Sequence, residues 1–215
     1  MSGLFDPLLV SVLLLNLFVL GASRLRAVIG ATALQGVALG ILTVAAHEKV
    51  SVEALAIAAV AVGIKAVVIP RLLYKAMRDV AISRDVEPLI GLIPSLVIGA
   101  LGTAFSVVFS QTLPLAASHQ GALALILPSS FATVLTGFVV LITRRKAITQ
   151  VVGYLILENG IFIMGLGLLE AMPFLVEVGV LLDLVVAIFV MGIMISHVSR
   201  EFDSTDAAEL SELKE

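Results

Sequence analysis

The sequence predicts an all-α integral membrane protein of about seven transmembrane helices, with the N-terminus outside and the C-terminus cytoplasmic. Three observations carry that fold class. Of the 215 residues, 60% are hydrophobic and only 13% charged, and the mean hydropathy is +1.16. A soluble globule of this composition would lack the polar surface to cover its core. Apolar stretches of roughly 20 residues recur from end to end, each long enough to cross a ~30 Å hydrocarbon core. Basic residues gather in alternate connections, which fixes orientation by the positive-inside rule.

Breaking the chain at charges, prolines and serine clusters gives helices near 4–22, 27–46, 52–70, 88–109, 121–143, 148–170 and 174–198. The first has Asp6 ahead of its apolar run and Arg24-Leu25-Arg26 after it, with no basic leader, so it reads as a retained helix instead of a signal peptide. The second carries Gly36-x-x-x-Gly40, a helix-packing spacing that is common in Gly-rich membrane chains. The third ends in a basic connection holding Arg71, Lys75, Arg78 and Arg84. Arg71, Lys75 and Arg78 share one helical face, and Leu72, Leu73, Ala76, Met77 and Val80 fill the rest, so this segment is expected to lie along the inner surface. Arg144, Arg145 and Lys146 separate the fifth and sixth helices. Residues 1–198 make one transmembrane domain, and 199–215 an acidic cytoplasmic tail, either disordered or helical after Ser204 or Thr205.

Val28-Ile29-Gly30-x-x-x-Leu34-Gln35 lies over Val151-Val152-Gly153-x-x-x-Leu157-Glu158 at one constant offset. Two readings stand. One is chance likeness between two Val/Gly-rich helices. The other is a pair of parallel three-helix repeats, 4–70 and 121–198, joined by helix 88–109.

Composition also narrows the chemistry. With no cysteine, disulfides, thiolate-held iron–sulfur clusters and covalent haem are excluded. His47, His119 and His197 fall at the ends of apolar stretches, not mid-span where an axial haem ligand sits, and no metal-ligand spacing occurs. No cofactor is expected. The slightly negative charge, gathered in the tail, gives no sign of nucleic-acid binding. Gly165-Leu166-Gly167 lies inside an apolar span without a preceding strand, so it is not a nucleotide loop.

The residues that need a reason are the ionisable ones inside the spans, since each costs ~2.5 to 3.5 kcal/mol at mid-bilayer on the insertion scale. They are Lys65, Glu158 and Asp183. Counting helical rise from the outer turns puts Glu158 at ~20 Å, Asp183 at ~17 Å, and Gln35 and Lys65 at ~22 Å, so all four share a depth. Protonatable groups in a row within the membrane plane suit a lateral proton relay, because a desolvated carboxylic acid can take and release a proton near neutral pH. The plainer readings are a snorkelling Lys65, an interhelical hydrogen bond at Glu158 with Asn159 or Tyr154 taking part, and tight packing at Asp183 between Gly179 and Ala187. Glu177, near the outer end of the last helix, suits an interfacial role.

Gly153-Tyr-Leu-Ile-Leu-Glu158-Asn159-Gly160, and then Leu175-Val-Glu177-Val-Gly179-Val-Leu-Leu-Asp183-Leu-Val-Val-Ala187-Ile, resemble the hydrogenase-4 component E family. Lys65 ahead of Val67, Val68 and Pro70 is similar to that family too. The family comprises membrane subunits of hydrogenase-4 and formate hydrogenlyase-type complexes, whose last three helices resemble the K subunit of complex I and the C subunit of multisubunit cation/proton antiporters. The resemblance implies a non-catalytic subunit in the plasma membrane of a bacterium or archaeon. It would sit between a hydrogenase-anchoring membrane subunit and large antiporter-like subunits. Glu158 matches the membrane glutamate of the K-type second helix, and Asp183 is the candidate for its third-helix counterpart. A different class, an independent carrier of three-one-three parallel architecture like the SWEET sugar carriers, is weakened by the absence of tryptophan and the few mid-span aromatics.

Overall fold

The computed structural model describes residues 2–46, 59, 62–79, 86, 88–113 and 124–167. Over these residues the chain is helical, with one isolated bridge between Pro88 and Arg144. The helices are α1 (Ser2–Gly21), α2 (Leu25–Ala46), α3 (Ile69–Asp79), α4 (Leu92–Thr112), α5 (Ile126–Thr143) and α6 (Ala147–Gly167), with a π-helical segment, Gly63–Val68, running straight into α3. Five of them, α1, α2, α4, α5 and α6, are long and apolar enough to cross a membrane. The expected seventh helix, 174–198, the tail and the three histidines lie outside the described residues.

Most helix ends fall close to those expected. The fourth and fifth differ, beginning at Leu92 instead of near residue 88 and at Ile126 instead of near residue 121. Pro88 bridges to Arg144, and the Leu89 amide donates to the Thr143 carbonyl at 2.7 Å, so this backbone is committed to the neighbouring connection before the helix begins after Gly91.

Arg144 holds that end of the bundle together. It is only 1% exposed, and its Nη2 donates to the Leu20 carbonyl at 3.0 Å, in the last turn of α1. Gln150 Nε2 donates to the Arg144 carbonyl at 3.1 Å, and the Val86 amide to the Ser23 carbonyl at 2.8 Å. Burial pushes the Arg144 guanidinium below its ordinary pKa by desolvation, a cost set against that hydrogen bond to the α1 terminus. The α1–α2 and α5–α6 connections therefore sit at the same end, and the two hairpins are parallel. The constant offset seen in the sequence also carries α1 and α2 onto α5 and α6 to within a few residues at each end.

The basic segment differs from expectation. It does not lie flat as a separate surface element; α3 continues the Lys65 helix and descends beside α2. Val62 meets α2 at Gly40, Lys65 meets it at Gly36, and Tyr74 reaches Gly30 and donates to the Arg26 carbonyl at 3.2 Å. Leu73 and Met77 join Leu25, Val28 and Ile29 in a buried cluster, which explains the course: the apolar face of α3 finds its partner on α2. Arg71, Lys75 and Arg78 stay exposed.

Among the described helices α5 and α6 are the closest pair, because glycine lets backbone meet backbone. A Cβ at Gly137 would stand 2.5 Å from the Leu157 amide nitrogen, and one at Gly160 would stand 2.6 Å from that of Val134. Two apolar clusters fill the bundle. One, at the Arg144 end, contains Leu20, Leu25, Ile29, Val140, Val152 and Ile156. The other, at the opposite end, contains Phe5, Leu9, Leu39, Leu42, Ile126 and Ile163. Between these clusters lies a layer of buried polar side chains.

Candidate intramembrane ion-pair site

That polar layer is built by position. Asn16 falls between Val12 and Val19 on α1, Gln35 between Ala31 and Ala38 on α2, Thr133 between Ile126 and Val140 on α5, and Glu158 and Asn159 between Ile156 and Ile163 on α6. All five are buried.

At its centre the Lys65 ammonium lies 2.6 Å from Glu158 Oε1, with side chains 17% and 6% exposed. Both partners have further interactions in the fold. The ammonium also stands 5.2 Å from the centroid of the Phe162 ring, one turn along α6 from Glu158, at cation–π distance. Lys65 reaches this position because α2 is bare where the π-helical segment crosses it: a Cβ at Gly36 would stand 3.0 Å from that of Lys65, and one at Gly40 would run into Val62. The Gly36-x-x-x-Gly40 spacing is thus a packing face for the Lys65 helix. A π-helical stretch at such a place is a departure from regular helix that recurs at functional sites.

Beside the ion pair runs a chain of amides. Asn159 Nδ2 donates to Gln35 Oε1 at 3.3 Å, Gln35 Nε2 to Asn16 Oδ1 at 2.8 Å, and Asn16 Nδ2 to Thr133 Oγ1 at 2.8 Å. Thr133 donates its own hydroxyl proton to the Ser129 carbonyl at 2.7 Å. Each side chain donates in the same sense, and the chain stitches α6, α2, α1 and α5 into one layer. A buried amide has no proton to give near neutral pH. Gln35 and Asn159 can orient and solvate, while Lys65 and Glu158 are the groups that can change charge.

Of the residues singled out from the sequence, Lys65, Glu158, Gln35 and Asn159 come together in this layer. Tyr154 sits partly buried one turn along α6 from Glu158, toward the Arg144 end, with interactions of its own. Asp183 and Glu177 lie outside the described residues. Sequence reasoning missed Asn16 and Thr133. Asn16 carried a signal, as an amide in the middle of the apolar α1, whereas Thr133 did not, since threonine commonly bonds its own helix. Among the described residues, no group of His, Cys, Asp and Glu is placed to hold a metal ion.

The chain is 33% identical over 195 residues to the uncharacterized protein Rv0085 of Mycobacterium tuberculosis, a match covering 89% of this chain and 87% of its relative. It belongs to the Rv0085 family. The likeness to Rv0085 takes in most of both chains, so it concerns the membrane domain at large and not one shared helix. No family model and no solved structure matches the chain.

Proposed function

We propose that this protein is an accessory membrane-arm subunit of a group 4 nickel–iron hydrogenase or complex I-like assembly, in which the Lys65–Glu158 pair takes part in a lateral proton pathway. The observation that carries the reading is that ion pair, held in a polar layer between two apolar clusters. A structural pair alone is a poor use of two desolvated charges, because well-packed apolar residues of similar volume stabilise as much or more. Ionisable residues kept at membrane depth more often mark ion paths.

The chemistry follows from the geometry. A proton arriving at Glu158 neutralises the carboxylate and releases the Lys65 ammonium from its partner; loss of that proton restores the pair. Glu158 is the group that exchanges, Lys65 sets the electrostatic cost of each state, and the Asn159–Gln35–Asn16 chain keeps the carboxylate's neighbours fixed. In this reading Asp183 extends the row, Glu177 has an interfacial role near the outer end of the last helix, and the redox chemistry takes place in other subunits. The Arg144 end faces the cytoplasm of a bacterial or archaeal cell, which puts the N-terminus outside. Helices 52–70 and 174–198 complete seven spans.

The parallel α1–α2 and α5–α6 hairpins also fit an independent three-one-three carrier. Gentle purification of the tagged chain from its native membrane separates the two readings. Recovery with large antiporter-like and hydrogenase-anchoring subunits is expected; recovery as a lone polypeptide under conditions that keep other membrane complexes whole would overturn the assembly.

A further inference from the structure

The helix that carries Lys65 turns a second face away from the other described helices, and that face changes from apolar to cationic along its length. Ile64, Val67 and Val68 are exposed along its first turns. Arg71, Lys75 and Arg78 continue the same stripe, spaced by three or four residues, and are exposed as well. Exposed Arg24 and Arg26 lie at the same end, beside the carbonyl that Tyr74 holds. Since α3 descends beside α2, the apolar part of the stripe is level with Gly36 and Gly40, within the stretch of α2 that is long and apolar enough to cross a membrane, and the cationic part is level with the start of that stretch.

We infer that this face binds an anionic phospholipid of the leaflet at the Arg144 end, its acyl chains along Ile64, Val67 and Val68 and its phosphate among Arg71, Lys75 and Arg78. Two features select that occupant. The stripe passes from apolar to cationic in the order in which a phospholipid passes from chains to headgroup. The exposed charged residues described on the stripe, Arg71, Lys75 and Arg78, are all cations, which favours an anionic headgroup over a zwitterionic one by about fivefold in binding for each cation near the surface. The inference stands apart from the proton reading and holds whether or not that is right.

The test is native mass spectrometry of the full chain in a neutral detergent, titrated with phosphatidylglycerol, with phosphatidylcholine of the same acyl chains, and with glycerol phosphate. Phosphatidylglycerol is expected to be retained at least about tenfold more than either. Arg71→Gln, Lys75→Gln and Arg78→Gln together should cut retention by about a hundredfold, and Lys75→Gln alone by about fivefold. Arg145→Gln, which removes an exposed cation at the same end but off the stripe, should leave it unchanged. Equal retention of the two phospholipids, or tight binding of glycerol phosphate alone, would overturn the proposal. An Arg145→Gln loss as large as that of Lys75→Gln would overturn it too, by showing diffuse charge. If the triple variant does not fold, the Lys75→Gln and Arg145→Gln comparison decides. If the chain retains phosphatidylglycerol only after residues 199–215 are removed, the acidic tail is the occupant and the proposal fails.

Discussion

The Lys65 ammonium and the Glu158 carboxylate meet at 2.6 Å across the gap that Gly36 and Gly40 leave on α2. Neither residue owes its position to its own helix alone. A side chain at Gly36 or Gly40 would push the Lys65 helix away, and the Gly137 and Gly160 contacts fix the helix that carries Glu158.

Breaking this pair should be costlier than removing it. Lys65→Met leaves a buried carboxylate without its partner and should destabilise by roughly 3 kcal/mol, and Glu158→Gln by a comparable amount. The double variant should cost less than the sum, by about 1 to 3 kcal/mol. Thermal melting followed by circular dichroism reads this; strict additivity would mean that the pair does not couple. With no tryptophan in the chain, tryptophan fluorescence gives no signal.

The glycine contacts supply an internal control. Gly137→Ala and Gly160→Ala put a methyl group within 2.5 and 2.6 Å of backbone nitrogen, which no rotamer change relieves, and each should cost about 1 to 3 kcal/mol. Gly165→Ala, on the same helix as Gly160, meets nothing within 4 Å and should be near neutral. Equal losses at Gly160 and Gly165 would show that close approach does not set the effect, since helix propensity alone favours alanine at both.

The amide chain makes a third prediction. Gln35→Leu takes an acceptor from Asn159 and a donor from Asn16, and should cost about 1 to 2 kcal/mol. Thr32→Val, one turn away, loses a bond only to its own helix at Val28 and should stay within about 0.5 kcal/mol. Adding Asn16→Leu to Gln35→Leu should cost less than its own single effect, because the orphaned partner goes with it.

Arg144 is open to test by charge and by reach. Arg144→Ala strips the donor from the α1 terminus and should lower stability by about 2 to 3 kcal/mol in a melting experiment. The sign with pH is plain: desolvation lowers the folded pKa, so the cost of burying the charge is present at any pH below it and lifts only in strong alkali. The difference between wild type and variant should therefore be flat across neutral pH, since the guanidinium stays protonated.

Much of this was legible in the sequence because membrane physics writes large signals. Runs of apolar residues mark the described spans, and the cost of a mid-bilayer charge singles out Lys65, Glu158 and Asp183. Rise per residue puts Gln35, Lys65, Glu158 and Asp183 at one depth; the fold brings the first three into one layer, and Asp183 lies outside the described residues. What the sequence did not show was lateral arrangement. Periodicity says which face of a helix is apolar, not which helix it faces, so it does not mark Asn16 and Thr133, and it lays Arg71, Lys75 and Arg78 on a flat surface helix. The cover that Leu25, Val28 and Ile29 offer to Leu73 and Met77 becomes visible only once α2 and α3 are side by side.

The proton role of Glu158 is the central claim, and it is tested most directly by measuring proton translocation per turnover in the assembled complex carrying Glu158→Gln, with the redox activity of the same preparation as reference. The account predicts that translocation per turnover falls sharply while the complex stays assembled, and that Glu158→Asp retains part of it. Full coupling in the assembled Glu158→Gln complex would contradict the claim and leave the Lys65–Glu158 pair as a packing feature.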